Sequence, residues 1–272
     1  MLAAYHYATV YYVCMLPILL ILYVAAFGVV IGSFVNVLIL RDGRRASIVT
    51  GRSGCPSCGH VLHWYELIPV ISFVLQMGRC RSCKASLSLQ YPTVELLVGM
   101  LLFIAFWKVG LSIAVLPLWI WFICLVVLSG IDIRTQSVPL DYCIAAGVMG
   151  LLYQFLQHGT PGLLQSLIGA GVGAAIILAI IIVWKVLTKT DGMGTGDIWI
   201  LAAIGSLLGY PLVIQSLFFA VMLGSIGGVL AIVRGGGNLK TEIPFGPYLA
   251  VGAVIALLLS KELLQWYTLL WI

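Results

Sequence analysis

Residues 163–184 read LLQSLIGAGVGAAIILAIIIVW, 22 positions without one acidic or basic side chain. About 20 apolar residues give a helix long enough to cross the hydrocarbon core of a bilayer, so this stretch reads as a membrane span. Outward from it the pattern repeats. Apolar runs lie at roughly 12–40, 93–107, 112–131, 142–157, 163–184, 197–208, 211–233 and 247–260, separated by polar or charged breaks. Over the 272 residues 62% are hydrophobic and 8% charged, which excludes an ordinary soluble domain. The expected fold class is an all-α polytopic membrane protein of about eight transmembrane helices with one small polar insert. The expected division is a first transmembrane segment at 1–40, the insert at 41–92, and a helical bundle at 93–272.

The first run is too long for the apolar part of a cleaved signal, has no basic segment before it, and is followed by Arg41, Arg44 and Arg45. It reads as an anchor that stays. Alternating eight spans puts Arg41, Arg44, Arg45, Arg52, Arg79, Arg81, Lys84, Arg134, Lys185, Lys189, Arg234 and Lys240 on one side, and only Lys108 and Lys261 on the other. Basic residues are retained in the cytosol, so the first group marks the cytosolic face and both termini are expected outside it. The net charge of +5 follows from this topology, and no nucleic-acid partner is inferred from it.

Two breaks differ from ordinary connections. Gly130-Ile131-Asp132-Ile133-Arg134, running on to Pro139, places an acid at the end of the third run; Asp191-Gly192-Met193-Gly194-Thr195-Gly196-Asp197 places another at the start of the sixth. That sixth run has about 12 apolar residues, or about 18 Å of helix, short of a core about 30 Å thick. The glycine loop is therefore expected to dip into a wetted cleft, since non-helical backbone at membrane depth needs cover from protein or water. Asp132 and Asp197 lie at ends of spans that share the cytosolic face. An acid there usually faces the bundle interior or a water-filled cavity. Brought together, two carboxyls cannot easily both ionise, which is the condition for aspartyl hydrolysis. Gly194 and Gly196, without side chains, let the backbone approach a peptide substrate or adopt positive φ. On these residues alone a second reading stands beside the first, with Asp197 capping a helix and Asp132 paired with Arg134 at the interface.

Cys55-Pro56-Ser57-Cys58 and Cys80-Arg81-Ser82-Cys83 are two Cys-x-x-Cys pairs with 21 residues between them. Each pair can form a tight knuckle aiming two thiolates at one ion, the arrangement of a structural four-cysteine zinc site. Reduced thiols are expected on the cytosolic side. The rivals are a redox disulfide pair and unliganded thiols, and His60 or His63 could replace one ligand. Cys14, Cys124 and Cys143 sit in apolar runs and read as packing residues.

Gly194-Thr195-Gly196-Asp197, within GMGTGDIWILAAIG at 192–205, resembles the Gly-x-Gly-Asp signature of the prepilin (type IV leader) peptidases. The family's other half is an Asp followed seven positions on by Pro, here Asp132 and Pro139. Gly32-Ser33-Phe34-Val35-Asn36-Val37, Leu67-Ile68-Pro69-Val70, Tyr91-Pro92-Thr93-Val94-Glu95 and Pro244-Phe245-Gly246-Pro247 look like further family motifs in the same order. One departure is that Leu140 separates Pro139 from Asp141, where the family usually has Asp or Asn directly after the Pro. The resemblance implies a bacterial inner-membrane aspartyl endopeptidase, with Asp132 and Asp197 as its catalytic pair. Its partners would be prepilins or pilin-like secretion subunits, cut after a Gly at the cytosolic face where the substrate's apolar helix begins. It also implies N-methylation of the new amino terminus with S-adenosylmethionine, although no nucleotide-binding fingerprint is seen, and it agrees with zinc in the four-cysteine loop.

Glu95 opens the second span and reads either as a functional acid or as an interfacial one. Asp42 and Asp191 read as solvated loop acids, and Trp64, Trp107, Trp184 and Trp266 as interfacial anchors. Two other function classes fit part of the pattern. One is a transporter whose paired acids relay protons or bind a cation, and the other a membrane enzyme that uses the cysteine-bound metal for chemistry.

Overall fold

The computed structural model describes residues 2–41, 52–189, 194–210, 212–233 and 243–260, with side chains from residue 19 onward. The Cys14 side chain, Asp42, Arg44, Arg45, Asp191, Arg234, Lys240, Lys261 and Trp266 lie outside the described residues. The chain forms two compact units, Met1–Leu111 and Ser112–Ile272.

The first unit contains α1 (Leu2–Arg41), a 3-10 turn (Trp64–Leu67), α2 (Ile71–Leu75) and α3 (Gln90–Val109). The Leu19–Arg41 part of α1 and all of α3 are long and apolar enough to span a bilayer. Two such helices gain nothing from hiding apolar surface from lipid tails, so they associate through close backbone packing at small residues. Gly28 and Gly32, one turn apart on α1, provide it. A methyl at Gly28 would lie 2.8 Å from the Gly99 Cα, and one at Gly32 would lie 2.6 Å from the Glu95 Cα.

The second unit contains α4 (Val115–Thr135), α5 (Leu140–Thr188), α6 (Gly196–Leu208), α7 (Leu212–Val233) and α8 (Gly246–Leu258). At 49 residues α5 would be about 73 Å long if straight, more than twice the core thickness. It is not straight. Gly159, at φ 66 and ψ −146 with Pro161 just beyond, breaks the helix, and Gly162 packs on the carbonyl of Gln154, eight residues back. Gly150 before the break and Gly169 after it both meet the end of α6, which a continuous rod could not do. The two arms correspond to the expected runs at 142–157 and 163–184, so the eight apolar segments read from sequence are all present as helix.

The 13-residue α6, about 20 Å long, is the buried axis of this unit. The Trp121 indole of α4 donates to the Ala203 carbonyl at 3.1 Å. Gly169 and Gly205 face each other with no room for a methyl on either, and a methyl at Gly173 would lie 2.5 Å from the Leu201 carbonyl. The carbonyls at the end of a helix lack partners within it. Two of those on α6 are met from the arms of α5, by the Gln154 amide on Leu207 and the Ser166 hydroxyl on Ser206. His158, within 3.0 Å of the Gln154 oxygen, orients that amide. α7 and α8 pack at Gly252, which rests on the Ser216 carbonyl and Ala220, and at Gly227, which lies under the Tyr248 ring.

Because α6 has no slack, Gly205→Ala should destabilise the protein by about 1–3 kcal/mol, the usual range for overpacking. Gly171→Ala, with nothing within 4 Å of the added methyl, should be neutral or slightly stabilising. Thermal unfolding of both variants in one detergent tests the contrast.

Candidate active site and metal centre

Asp132 stands in the last turn of α4, which closes at Gln136 in the left-handed region with its amide on the Asp132 carbonyl at 2.9 Å. Asp197 stands in the first turn of α6, its amide on the Gly194 carbonyl at 3.2 Å. The segment joining α4 to α5 holds these two ends together. A methyl at Gly196 would lie 2.5 Å from the Val138 Cγ2, so only a glycine lets the start of α6 sit on this linker. Asp132 lies within Coulombic reach of Asp197. The start of α8 completes the arrangement, with the Gly246 amide donating to the Asp132 Oδ2 at 2.9 Å. A methyl on Gly246 would come within 2.8 Å of that oxygen and 3.2 Å of Ile200, which lies one turn beyond Asp197.

Both carboxyls are withdrawn from the surface, Asp132 at 6% and Asp197 at 7% exposure. The reading that pairs Asp132 with Arg134 finds no support among the described residues, where Arg134 is exposed and the Asp132 oxygen accepts from Gly246. Thr195, rather than Asp197, holds the capping position of α6. Gly196 does not adopt positive φ and is explained by Val138, whereas among the described residues the nearest atom to a methyl on Gly194 is the Gly196 amide nitrogen at 4.0 Å. Two buried carboxyls this close can share one proton, with one member able to accept a proton while the other donates.

The four insert cysteines also converge, their sulfurs lying within 4.8 Å of one another. Cys55 and Cys83 are 3.8 Å apart and Cys58 and Cys80 are 4.0 Å apart, far beyond a disulfide bond. A tetrahedral zinc with bonds of about 2.3 Å to sulfur requires sulfur separations of about 3.8 Å, so the donor set fits that ion. The two knuckles repeat one backbone pattern. The amide of Gly59 bonds the Cys55 carbonyl and the amide of Lys84 bonds the Cys80 carbonyl, both at 2.9 Å, and an antiparallel bridge flanks each knuckle, Gly54 with Val61 and Arg79 with Ser86. The amides of Cys58 and Ser57 draw the Cys55 thiol down to about 6. The amide of His60 favours the Cys58 thiolate too, but desolvation and the crowding sulfurs outweigh it and push that thiol up to about 12. Four thiols cannot all ionise without a cation between them, and a bound divalent ion removes the conflict.

Gly59 (φ 70) and Lys84 (φ 60) occupy the same place in the two knuckles, four residues after the first cysteine. A side chain in the left-handed region costs about 1–2 kcal/mol. Lys84→Gly should therefore leave the insert as stable or stabilise it by up to about 1 kcal/mol, whereas Gly59→Lys should destabilise it. Resistance to limited proteolysis of the zinc-loaded protein reads the difference.

His60 and His63 form a group of their own with Glu66. The Glu66 Oε2 accepts the His63 amide at 2.9 Å and lies 3.3 Å from His60 Nε2. The His63 amide, with the His60 ring beside it, holds the Glu66 carboxyl below its ordinary range. The sequence reading did not single out Glu66. Its signal was a lone acid within Trp64-Tyr65-Glu66-Leu67-Ile68-Pro69-Val70.

Glu95 is buried against α1 with its Oε2 accepting the Val70 amide at 2.7 Å, and the Ser33 hydroxyl bonds the same carboxyl. Val70 has φ 59 and ψ −51, a backbone strain of about 1–3 kcal/mol in a β-branched residue, and that strained turn points its amide at Glu95. Asn36, one turn beyond Gly32, donates to the Tyr91 carbonyl at 3.1 Å, and its own side-chain oxygen is buried without a hydrogen-bond partner. The roles of Asn36 and Gly246 lay inside motifs that the sequence displayed without saying what they touch.

Residues 26–109 match the Bacterial Peptidase A24 N-terminal domain, and residues 119–229 match the Type IV leader peptidase family. A protein of Aeromonas salmonicida (strain A449) named prepilin leader peptidase/N-methyltransferase is 33% identical over 93% of this chain and 95% of its own length. Proteins of the same name are 35% identical in Myxococcus xanthus (strain DK1622), over 77% of this chain and 62% of theirs, and 30% identical in Bacillus subtilis (strain 168), over 89% and 95%. No solved structure matches the chain.

Proposed function

The chain belongs to the type IV leader peptidase family, and on that premise we propose that it removes the leader from prepilins or pilin-like secretion subunits and N-methylates the new amino terminus. The observation that carries the hydrolytic half is the approach of Asp132 and Asp197 from separate helices. One carboxylate takes a proton from water as the water attacks the scissile carbonyl, and the protonated partner polarises that carbonyl and then protonates the leaving amine. The Gly246 amide fixes the oxygen of Asp132 that it touches, so that the other oxygen stays available to water. A substrate backbone would pass at Gly194, with the start of α6 alongside it.

The chain is a membrane protein, and its place is the bacterial inner membrane with the aspartates opening to the cytosol. The charge asymmetry supports this orientation, as does the short α6, whose first turn would lie beneath the headgroups. A prepilin enters as an apolar helix behind a basic leader, and its junction comes to rest at that depth. Cys55, Cys58, Cys80 and Cys83 hold a structural zinc ion, since four thiolates leave no position for water or substrate. For the second activity S-adenosylmethionine supplies an electrophilic methyl group.

Full-length zinc-loaded protein in nanodiscs, incubated with a prepilin peptide and S-adenosylmethionine, should release the leader and yield a methylated amino terminus by mass spectrometry. An intact peptide, together with proton flux when the protein is placed in liposomes, would favour the transporter instead.

A further inference from the structure

We propose that Glu95 and Asn36, on facing turns of α3 and α1, form a binding site for a primary ammonium group, the free amino terminus of an apolar helix. The inference rests on the N-methyltransferase reading and adds the place where the amine is held. Glu95 is a carboxyl buried within an apolar span, and its contacts are the Val70 amide and the Ser33 hydroxyl, both neutral donors. Asn36 is 2% exposed. Its nitrogen is committed to the carbonyls of Tyr91 and Gly32, which leaves its oxygen as a second acceptor that is buried and unpartnered.

The two acceptors are neighbours. Asn36 is four residues beyond Gly32, which packs on the Glu95 backbone, and Tyr91, which Asn36 contacts, is four residues before Glu95. One helical turn, about 5.4 Å, thus separates them along a shared seam. A buried carboxyl and a buried lone pair side by side are completed best by a ligand that carries several donors and whose positive charge would hold the carboxyl ionised. An ammonium has both properties, whereas a carboxylate, a phosphate or an apolar group has neither. The strained turn at Val70 fixes the Glu95 carboxyl by its Oε2, and the Ser33 hydroxyl is the other donor to it. In methyl transfer the bound ammonium gives one proton to the carboxylate. The freed nitrogen lone pair then forms a bond to the methyl carbon of a sulfonium donor as its carbon–sulfur bond breaks, and a neutral thioether leaves.

The test uses an already cut, apolar peptide with a free amino terminus, its N-acetylated twin, and full-length zinc-loaded protein in nanodiscs. Wild type should bind the free amine about tenfold or more tightly than the acetylated peptide, as expected for a charge-assisted contact. Glu95→Gln, which can still accept the Val70 amide, should abolish that preference, and Asn36→Leu should reduce it. In a cleavage assay run with S-adenosylmethionine, Glu95→Gln should lower the ratio of methylated to unmethylated product by a similar factor. Zinc content and thermal unfolding establish that the variants fold. Equal binding of the two peptides by wild type overturns the proposal, as does a preference that survives Glu95→Gln or a product ratio that does not change. Because the binding arm needs no cleavage, a protein that prefers the free amine yet never cuts a prepilin would refute the peptidase reading alone.

Discussion

Asp132→Asn and Asp197→Asn should each lower leader cleavage by about 10³–10⁴-fold, the loss expected when a positioned acid–base group is removed. Asparagine matches aspartate in shape, and at position 132 its oxygen can still accept the Gly246 amide, so the packing of α8 on α4 should survive. The paired variant should be little worse than either single one, because two groups that share one proton act as a unit. Multiplying losses would mean two independent roles. Thermal unfolding within a few degrees of wild type excludes a folding defect, and a single variant that keeps more than about a tenth of wild-type cleavage would sink the dyad.

How much of this was legible beforehand depended on the range of the interaction. Spans announce themselves locally, and the eight runs became helices, including the two arms of α5 that Gly159 folds against α6. The short sixth run was legible for the same reason, since a count of apolar residues sets helix length. The cysteine knuckles are local too, each set by four residues and the turn after them. The Gly246 contact with Asp132 spans 114 positions, and nothing in the sequence near either residue names the other. Gly196 was expected to be bare for the sake of a substrate, yet Val138 explains it, because a linker residue packs where the loop chemistry alone suggests open space. Asn36 and Glu66 share a further difficulty. Their importance lies in being buried, and burial of a polar residue in or beside a span depends on which helix or turn packs over it.

Removing the metal should collapse the insert while the helices persist. From residue 52 to residue 90 the only buried side chains are those of Cys55, Glu66 and Cys80, and Leu75 and Met77 are 77% and 85% exposed. No hydrophobic core holds this segment; two of its three buried residues belong to the four-cysteine cluster proposed to hold the ion, and the third is an acid. The ion must therefore supply most of the folding free energy, about 10–16 kcal/mol in small zinc modules. Cys80→Ser, or prolonged treatment with a strong chelator, should release the zinc and raise the rate of protease cleavage between residues 52 and 89 by at least about 100-fold, with little change in total helix signal. Cys124→Ser and Cys143→Ser, in apolar helices of the second unit and outside the four-cysteine cluster, should retain the metal. Cobalt in place of zinc should show the intense charge-transfer absorption of a thiolate tetrahedron. Leader cleavage should fall in step with loss of the insert, and zinc returned to the chelated protein should restore both together. A metal-free protein whose insert still resists protease but has lost all activity would instead make the ion catalytic.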